Sequence, residues 1–161
     1  AKVTYTGTDT FTYMVTDSKG GNTTGTVTVT VTSNTAGTDT DGGFALFEQT
    51  SLSPGRGTPL HLHYFQDEVF YVMEGAYYFQ VGEEKYHLGA GDSIFLPKNI
   101  PHAWTQVSEK GKMTVLFQPA GKMEQFFVTL SALEREPGKE ELSKLFADNE
   151  MKVVGPPLRI E

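Results

Sequence analysis

Short apolar alternations separated by turn residues dominate the middle of the chain, between residues 44 and 119. They recur in FALFEQ, EVFYVM, AYYFQV, DSIFLP and MTVLFQP, with glycine, proline and charged residues between them. A period of two places the apolar side chains on one face of a strand, and regularly spaced short strands are typical of antiparallel barrels. The pattern therefore predicts an all-β fold, an antiparallel barrel or jelly roll.

Beyond Gly121 the apolar residues take a helical spacing. They do so in MEQFFVTLSAL, and Pro137 followed by GKEELSKLFADNE indicates a second short helix. We expect these two C-terminal helices to cap one end of the barrel.

The opening of the chain is rich in threonine, glycine, aspartate and valine. Here TFTYMVT alternates, DSKGGN supplies turn residues and TGTVTVTVT alternates again, which predicts a β-hairpin. A lone hairpin is marginal in water, so we expect it to add strands to a neighbouring sheet edge. SNTAGTDTDGG, residues 33–43, would follow as a flexible connector. This divides the chain into an extension with its linker over residues 1–40 and a second domain over residues 41–161.

Residues 5–32 also resemble the last strands of the cadherin-like, immunoglobulin-type sandwich repeats of large bacterial surface proteins. The resemblance covers part of such a repeat and rests on the alternating threonine and valine residues. It implies an adhesive module, of which this segment would be a piece, as the alternative to an accessory hairpin.

Charge and residue types exclude several kinds of function. The chain has 13 Lys and Arg against 20 Asp and Glu, a formal charge of −7 that repels phosphate backbones, so we expect no nucleic-acid partner. No run approaches the roughly 18 consecutive apolar residues of a membrane span, so we expect a soluble protein. Because the sequence contains no cysteine, any metal must be held by imidazole and carboxylate groups.

Three histidines and one glutamate have a spacing that suits a metal site. His61 and His63 are separated by one residue on a predicted strand, so both side chains project to one face. Glu68 begins the next apolar run, and His102 lies in a later segment that a hairpin could bring alongside. Three neutral imidazoles and one carboxylate leave open positions on a divalent iron, manganese, nickel, copper, cobalt or zinc ion. We predict one such transition metal ion at this site and leave its identity open.

Two segments around these ligands resemble the two motifs of the cupin superfamily. GRGTPLHLHYFQDEVFYVMEG, residues 55–75, looks like the first motif, and GDSIFLPKNIPHAWTQ, residues 91–106, is similar to the second. The flanks LFQPAGKMEQFF and VGPPL resemble small single-domain cupins grouped with quercetin dioxygenases. The resemblance implies a double-stranded β-helix, the cupin jelly-roll barrel, with a bound transition metal and dioxygenase chemistry on an aromatic or enolic molecule. It also implies a catalytic role for Glu68 as a base.

Two positions depart from the second motif. Asn99 stands where the motif usually has glycine, a position that needs a left-handed backbone, and asparagine is the non-glycine residue most tolerant of it. Gln106 stands where asparagine is usual. Neither position holds a metal ligand in the family, so the departures bear on closeness to any one member and not on the metal site.

The metal ligands do not decide between functions, because a dioxygenase, a non-catalytic cupin that binds a sugar or an anion, and a metal-dependent isomerase need the same set. We take Phe70, Trp104 and Gln106 as candidates for contacts with a small-molecule ligand, since Trp104 and Gln106 share strand parity with His102. The resemblance implies a possible homodimer. We leave the localisation open: the protein would be cytoplasmic if the cupin stands alone, and extracellular or surface-associated if the N-terminal repeat is genuine.

Overall fold

The computed structural model of the protein describes residues 6–16, 22–52, 54–55, 57–133, 135 and 137–159. Over these residues the chain forms two antiparallel sheets and two short helices. This architecture confirms the prediction of an all-β fold with an N-terminal hairpin and short C-terminal helices. Each of the five alternating segments coincides with a strand, because a period of two matches the pleat of a sheet.

The first sheet contains six of the described strands. Their bounds are Thr6–Thr16 for β1, Asn22–Thr35 for β2, Ala45–Ser51 for β3, Asp67–Glu74 for β5, Ser93–Leu96 for β8 and Gly111–Gln118 for β10. In space the order is β1-β2-β3-β10-β5-β8. β5 and β10 therefore lie inside the sheet, and their inward side chains are fixed by neighbours on both sides.

The second sheet contains the other five described strands. They are β4 (Pro59–His63), β6 (Ala76–Val81), β7 (Glu84–Gly89), β9 (His102–Gln106) and β11 (Met151–Pro157). Their order is β11-β4-β9-β6-β7, so β4 and β9 are central neighbours. This adjacency brings together two segments that are far apart in the sequence.

Inward-facing apolar side chains from both sheets meet in one core. Phe47, Val72 and Met113 of the first sheet and Phe79 of the second are all completely buried. Aromatic rings in this core pack edge to face, as in the pair formed by Phe47 and Phe117, whose centroids lie 5.8 Å apart. Such rings bury large apolar areas, which supplies much of the stability of the fold.

The N-terminal hairpin extends the first sheet. β1 pairs with β2 along its length, from Thr6 opposite Thr32 to Thr16 opposite Asn22, and the loop between them lies outside the described residues. β2 pairs in turn with β3, from Val29 opposite Ser51 onwards. The prediction that the hairpin adds strands to a neighbouring sheet edge is confirmed.

The segment over residues 33–43 is more regular than the flexible connector that we predicted. β2 continues to Thr35, a 3-10 helix follows over Gly37–Thr40, and Asp41 ends it in a left-handed conformation with φ of 53°. Ser33 and Ala36 are almost fully buried. The pattern of small polar residues indicated a loop, but pairing with β3 and packing against the core override that local preference.

The two helices are α1 (Met123–Ser131) and α2 (Lys139–Asp148), as the helical spacing predicted. They bury Met123 and Phe126 from α1 and Leu145 and Phe146 from α2, and all four belong to the core cluster. In the described part of the chain, no helix is long and apolar enough to cross a membrane.

The last strand, β11, was not predicted from the sequence. It follows α2 and pairs antiparallel with β4, with Met151 opposite His63 and Val153 opposite His61. Only a short apolar run marks it before Gly155 and two prolines, and proline is tolerated there because β11 is an edge strand. β11 thus covers one side of the strand that carries two of the candidate ligands.

Candidate metal centre

His61 and His63 lie on β4 with one residue between them, as predicted. Both side chains are buried, with 5% and 1% of their surface exposed. Just before β4, Gly57 approaches β9 so closely that a Cβ atom there would lie 1.9 Å from the carbonyl oxygen of Trp104. Because only glycine fits at this distance, Gly57 allows the segment just before β4 to pack closely against β9.

β9 brings His102 to the same place. His102 pairs directly with His61 across the two strands, and the ring centroids of these residues are 4.6 Å apart. The turn before β9 contains Asn99, whose φ of 63° lies in the left-handed region. The expectation that this position needs a left-handed backbone is confirmed.

Glu68 reaches the three histidines from the other sheet. It lies on β5 and is 3% exposed. Its Oε2 atom is 2.6 Å from Nε2 of His102 and 3.5 Å from Nε2 of His63. One ligand atom from each of His61, His63, Glu68 and His102 lies within 4.8 Å of all the others. The structure thus brings together all four residues that we predicted as metal ligands.

Backbone carbonyl groups orient two of the rings. His61 Nδ1 lies 2.8 Å from the carbonyl oxygen of Pro59, and His102 Nδ1 lies 3.0 Å from that of Ile100. A proton on Nδ1 donates each of these bonds, so each Nε2 atom is left to point at the cluster. Outer hydrogen bonds of this kind fix the tautomer and the ring orientation of metal-binding histidines.

Burial and charge set the protonation of the cluster without a metal. Burial, and then repulsion from His102 and His63, lowers the pKa of His61 from 6.5 to about 3. Burial also lowers the pKa of His63. Burial by itself would raise the pKa of Glu68, but the imidazoles of His63 and His102 lower it to about 2. Burial opposes the charged form of His102, but the Glu68 carboxylate outweighs it and raises the His102 pKa.

This donor set fits a divalent transition metal ion. Bonds of about 2.1 Å put the ligand atoms of one ion at most about 4.2 Å apart, which is close to the 4.8 Å within which the four ligand atoms lie. His61 and His63 are neutral imidazoles with lowered pKa values, the form that binds metals. His102 and Glu68, now in close contact with each other, would both hold the ion.

A cavity of about 230 Å³ opens directly onto the four residues. Phe70 and Trp104, two of the predicted pocket residues, line it. Gln106 is fully buried, and the structure does not place it among the lining residues. Its side-chain amide instead donates to the carbonyl oxygen of Ser108 over 2.8 Å and to that of Ser51 over 3.5 Å. Gln106 shares strand parity with His102, but parity alone could not reveal that its amide turns away from the cavity toward these carbonyl groups.

Sequence reasoning missed most of the outer wall of this cavity. Val31 of the wall comes from the N-terminal hairpin. The two helices supply six large apolar side chains to the wall, which are Met123, Phe126, Phe127, Leu130, Leu142 and Phe146. The signal available in the sequence was the apolar stripe of α1, where Phe126 and Leu130 are four residues apart and share a helix face. It indicates a buried face but not what that face covers.

Part of the chain is similar to known proteins. Residues 49–118 match the family model described as Cupin domain. An uncharacterized protein of Methanocaldococcus jannaschii, MJ1618, is 38% identical over 48 residues, which cover 30% of this chain and 38% of that protein. The match thus spans well under half of that relative.

Two solved structures share the fold. KdgF from Halomonas sp. superposes with a TM-score of 0.51 and 20% identity, covering 56% of this chain and 78% of that protein. An RmlC-like cupin from Shewanella frigidimarina gives a TM-score of 0.50 and 22% identity, covering 60% of this chain and 80% of that one. Identities this low bear on the fold alone. The described fold is therefore a cupin jelly roll, and residues 49–118 are the part that matches the Cupin domain.

Proposed function

We propose that the protein is a metal-dependent dioxygenase that acts on a small aromatic or enolic molecule. The metal would be held by His61, His63, Glu68 and His102. The observation that carries the proposal is an apolar cavity that ends on these four side chains. A ligand in it would have its reactive oxygen at the metal and its apolar body against the aromatic wall.

The chemistry of the wall favours this ligand class over a sugar or a free anion. Among the described residues that line the cavity there is no lysine or arginine, and Glu68 is the one acidic side chain. An anion bound away from the metal would lack a countercharge, which costs free energy when buried. Outside the four candidate ligands, the polar side chains of the described wall are those of Gln49, Thr58 and Ser131, so the wall is mainly apolar and suits a sugar less well than an aromatic molecule. Aromatic side chains instead stack on a flat apolar molecule.

The metal would supply Lewis acidity and access to the chemistry of oxygen. The side chains around it would hold the ligand and keep out water. The ring of Phe146 lies edge-on to that of His61, with centroids 5.1 Å apart, and packs against Phe126 at the same distance. Both phenylalanine rings are buried, so they would keep water away from the inner end of the cavity and strengthen electrostatic interactions there.

Glu68 is better suited to hold the metal than to act as a base. Its pKa is lowered to about 2 by the neighbouring imidazoles, although burial opposes this. A carboxylate with so low a pKa is a weak proton acceptor near neutral pH. The catalytic role implied by the family resemblance therefore has less physical support than the role of Glu68 as a ligand.

The test combines elemental analysis of gently purified protein with oxygen uptake on the same sample. A panel of flavonols and other enolic aromatic compounds serves as candidate substrates. We expect about one equivalent of a transition metal and oxygen consumption that depends on an added compound. The His61→Ala variant should lose both, whereas His87→Ala, at an exposed histidine of β7, should keep both.

The other outcomes distinguish the alternatives. A metal-loaded protein that consumes no oxygen with any compound would exclude the dioxygenase and shift the assignment to a non-catalytic binding protein or an isomerase. A protein without metal after reconstitution would overturn the site itself. The quercetin-dioxygenase-like subtype is tested by the flavonols within the panel, and the homodimer expected from the resemblance by light scattering.

A further inference from the structure

The ring of His63 lacks the outer hydrogen bond that the other two histidines have. Backbone carbonyl groups lie 2.8 Å from Nδ1 of His61 and 3.0 Å from Nδ1 of His102. Nδ1 of His63 is buried and has no hydrogen-bond partner among the residues that the structure describes. Since its Nε2 atom faces Glu68, Nδ1 is the atom that points away from the metal centre.

Gln66 is a second buried group without partners, and it lies three residues after His63. Its side chain is 1% exposed, and over the described residues neither its amide oxygen nor its amide nitrogen makes a hydrogen bond. Gly121, with a φ of 52°, packs so closely that a Cβ atom there would lie 1.8 Å from the amide nitrogen. The fold thus keeps space for this amide, and Gln66 is not among the residues that line the cavity.

The amide and the ring are within reach of each other. Burial lowers the pKa of His63, and the side chain of Gln66 acts in the opposite direction as a hydrogen-bond acceptor. The contact falls short of full hydrogen-bonding geometry. Because the terminal torsion of glutamine is broad, a rotation of the amide brings its oxygen toward Nδ1 at little cost.

We propose that Gln66 is the positioning residue of His63, whose Nδ1–H donates to the amide oxygen of Gln66 when Nε2 binds a metal. One hydrogen bond would then satisfy two buried groups that otherwise lack partners, a costly state in a protein interior. It would also give Nδ1 of His63 a hydrogen-bond acceptor, as backbone carbonyl groups do for Nδ1 of His61 and His102. The inference rests on the proposed metal site.

The experiment measures zinc binding by the metal-free full chain, with zinc as a diamagnetic probe. The dissociation constant comes from competition with a chelator, and NMR records the imidazole N–H protons of the zinc-loaded protein. Gln66→Leu removes the acceptor with little change in volume, and Gln66→Glu keeps an acceptor. Gln125→Leu, at an exposed position of α1, is the matched control.

For Gln66→Leu we expect zinc affinity to fall about tenfold or more, in line with other outer partners of metal ligands. One of three slowly exchanging imidazole N–H signals should also disappear. Gln66→Glu and Gln125→Leu should bind as tightly as the unmodified chain and keep all three signals. Wild-type affinity with three signals in Gln66→Leu would overturn the proposal.

Two further results are interpretable. If Gln66→Leu does not fold, Gln66→Glu decides, because loss of zinc affinity or of the third signal in that variant contradicts a role as acceptor. If the unmodified chain binds no zinc, the proposed metal site is wrong. If the unmodified chain and Gln66→Leu both bind zinc normally, the metal site stands and only the role of Gln66 is wrong.

Discussion

The backbone N–H of Asn99 donates a hydrogen bond to the carbonyl oxygen of His63 over 2.8 Å. Asn99 belongs to the turn before β9, and His63 ends β4, so this bond joins the segments that carry three of the candidate ligands. Asn99 makes this bond in a left-handed conformation, with a φ of 63°. The conformation of one turn residue therefore bears on the geometry of the metal centre.

Replacement of Asn99 should show how much this turn matters. Asn99→Gly should be neutral or slightly stabilising, because glycine adopts the left-handed region freely. Asn99→Ala should lower the free energy of unfolding by about 1 kcal/mol, because a Cβ atom disfavours that conformation. Urea unfolding of both variants measures the difference. Equal stabilities would show that the turn does not enforce the left-handed backbone.

Gly57→Ala should disrupt the contact between the start of β4 and β9. The new Cβ atom would meet the Trp104 carbonyl oxygen at 1.9 Å, and backbone atoms on both sides must shift. We expect a loss of about 1–3 kcal/mol in the free energy of unfolding, as for other overpacked sites, together with weaker metal binding. Gly89→Ala is the control, since a Cβ there has only an ordinary contact with Asp92 at 3.9 Å. A stable Gly57→Ala with normal metal affinity would contradict the prediction.

Metal loading should stabilise the protein. An ion that binds only the folded state adds about 2.7 kcal/mol at a concentration 100 times its dissociation constant. The thermal midpoint of chelator-treated protein should therefore rise on addition of zinc or manganese, and His102→Ala should abolish the rise. His87→Ala should respond like the unmodified chain. A midpoint that does not change in the unmodified protein would count against the site.

The metal-free protein should lose stability as pH falls below about 6.5. The unfolded chain binds protons at His61 and His63 from that pH, whereas in the folded chain both pKa values are lowered, that of His61 to about 3. Acid therefore favours the unfolded state. Glu68 adds to the loss at lower pH, because its contribution is present above its unfolded pKa of 4.5 and disappears as pH falls toward about 2.

His102 has the opposite effect on the alkaline side. Because its pKa is raised in the folded protein, His102 contributes to the free energy of unfolding. This contribution is complete below pH 6.5 and is lost as pH rises through the pKa of the folded state. Unfolding free energies of chelator-treated protein between pH 5 and pH 8 measure both trends. We expect a decrease on the order of 1 kcal/mol from pH 6.5 to 5.5, and a shallower one in His61→Gln. A flat profile on the acid side would show that the histidines are not buried as described.

The ligands could be predicted from the sequence because their positions depend on local rules. Two histidines one residue apart on a strand must share a face, and the motif around Glu68 and His102 gives the rest. The left-handed backbone at Asn99 could be predicted because the motif that this segment resembles usually has glycine there, and asparagine tolerates the same conformation.

What the sequence did not reveal depends on contacts between distant segments. Phe126 and Phe146 line the cavity because two helices return over the sheets, and neither helix indicates its partner by its own pattern. Gln106 has the parity of a pocket residue, but carbonyl groups of neighbouring segments rotate its amide away from the cavity. Gln66 lies in a turn where the sequence has no regular spacing of apolar residues. Only the structure shows that its side chain is buried.

The pairing of β2 with β3 has a consequence for protein engineering. A chain shortened to residues 41–161 would expose the edge of β3 and remove Val31 from the cavity wall. Unpaired strand edges promote association between molecules, so such a fragment should aggregate more readily and accept a broader range of ligands. Libraries that vary the N-terminal hairpin would therefore change ligand selectivity without touching any of the residues proposed to hold the metal.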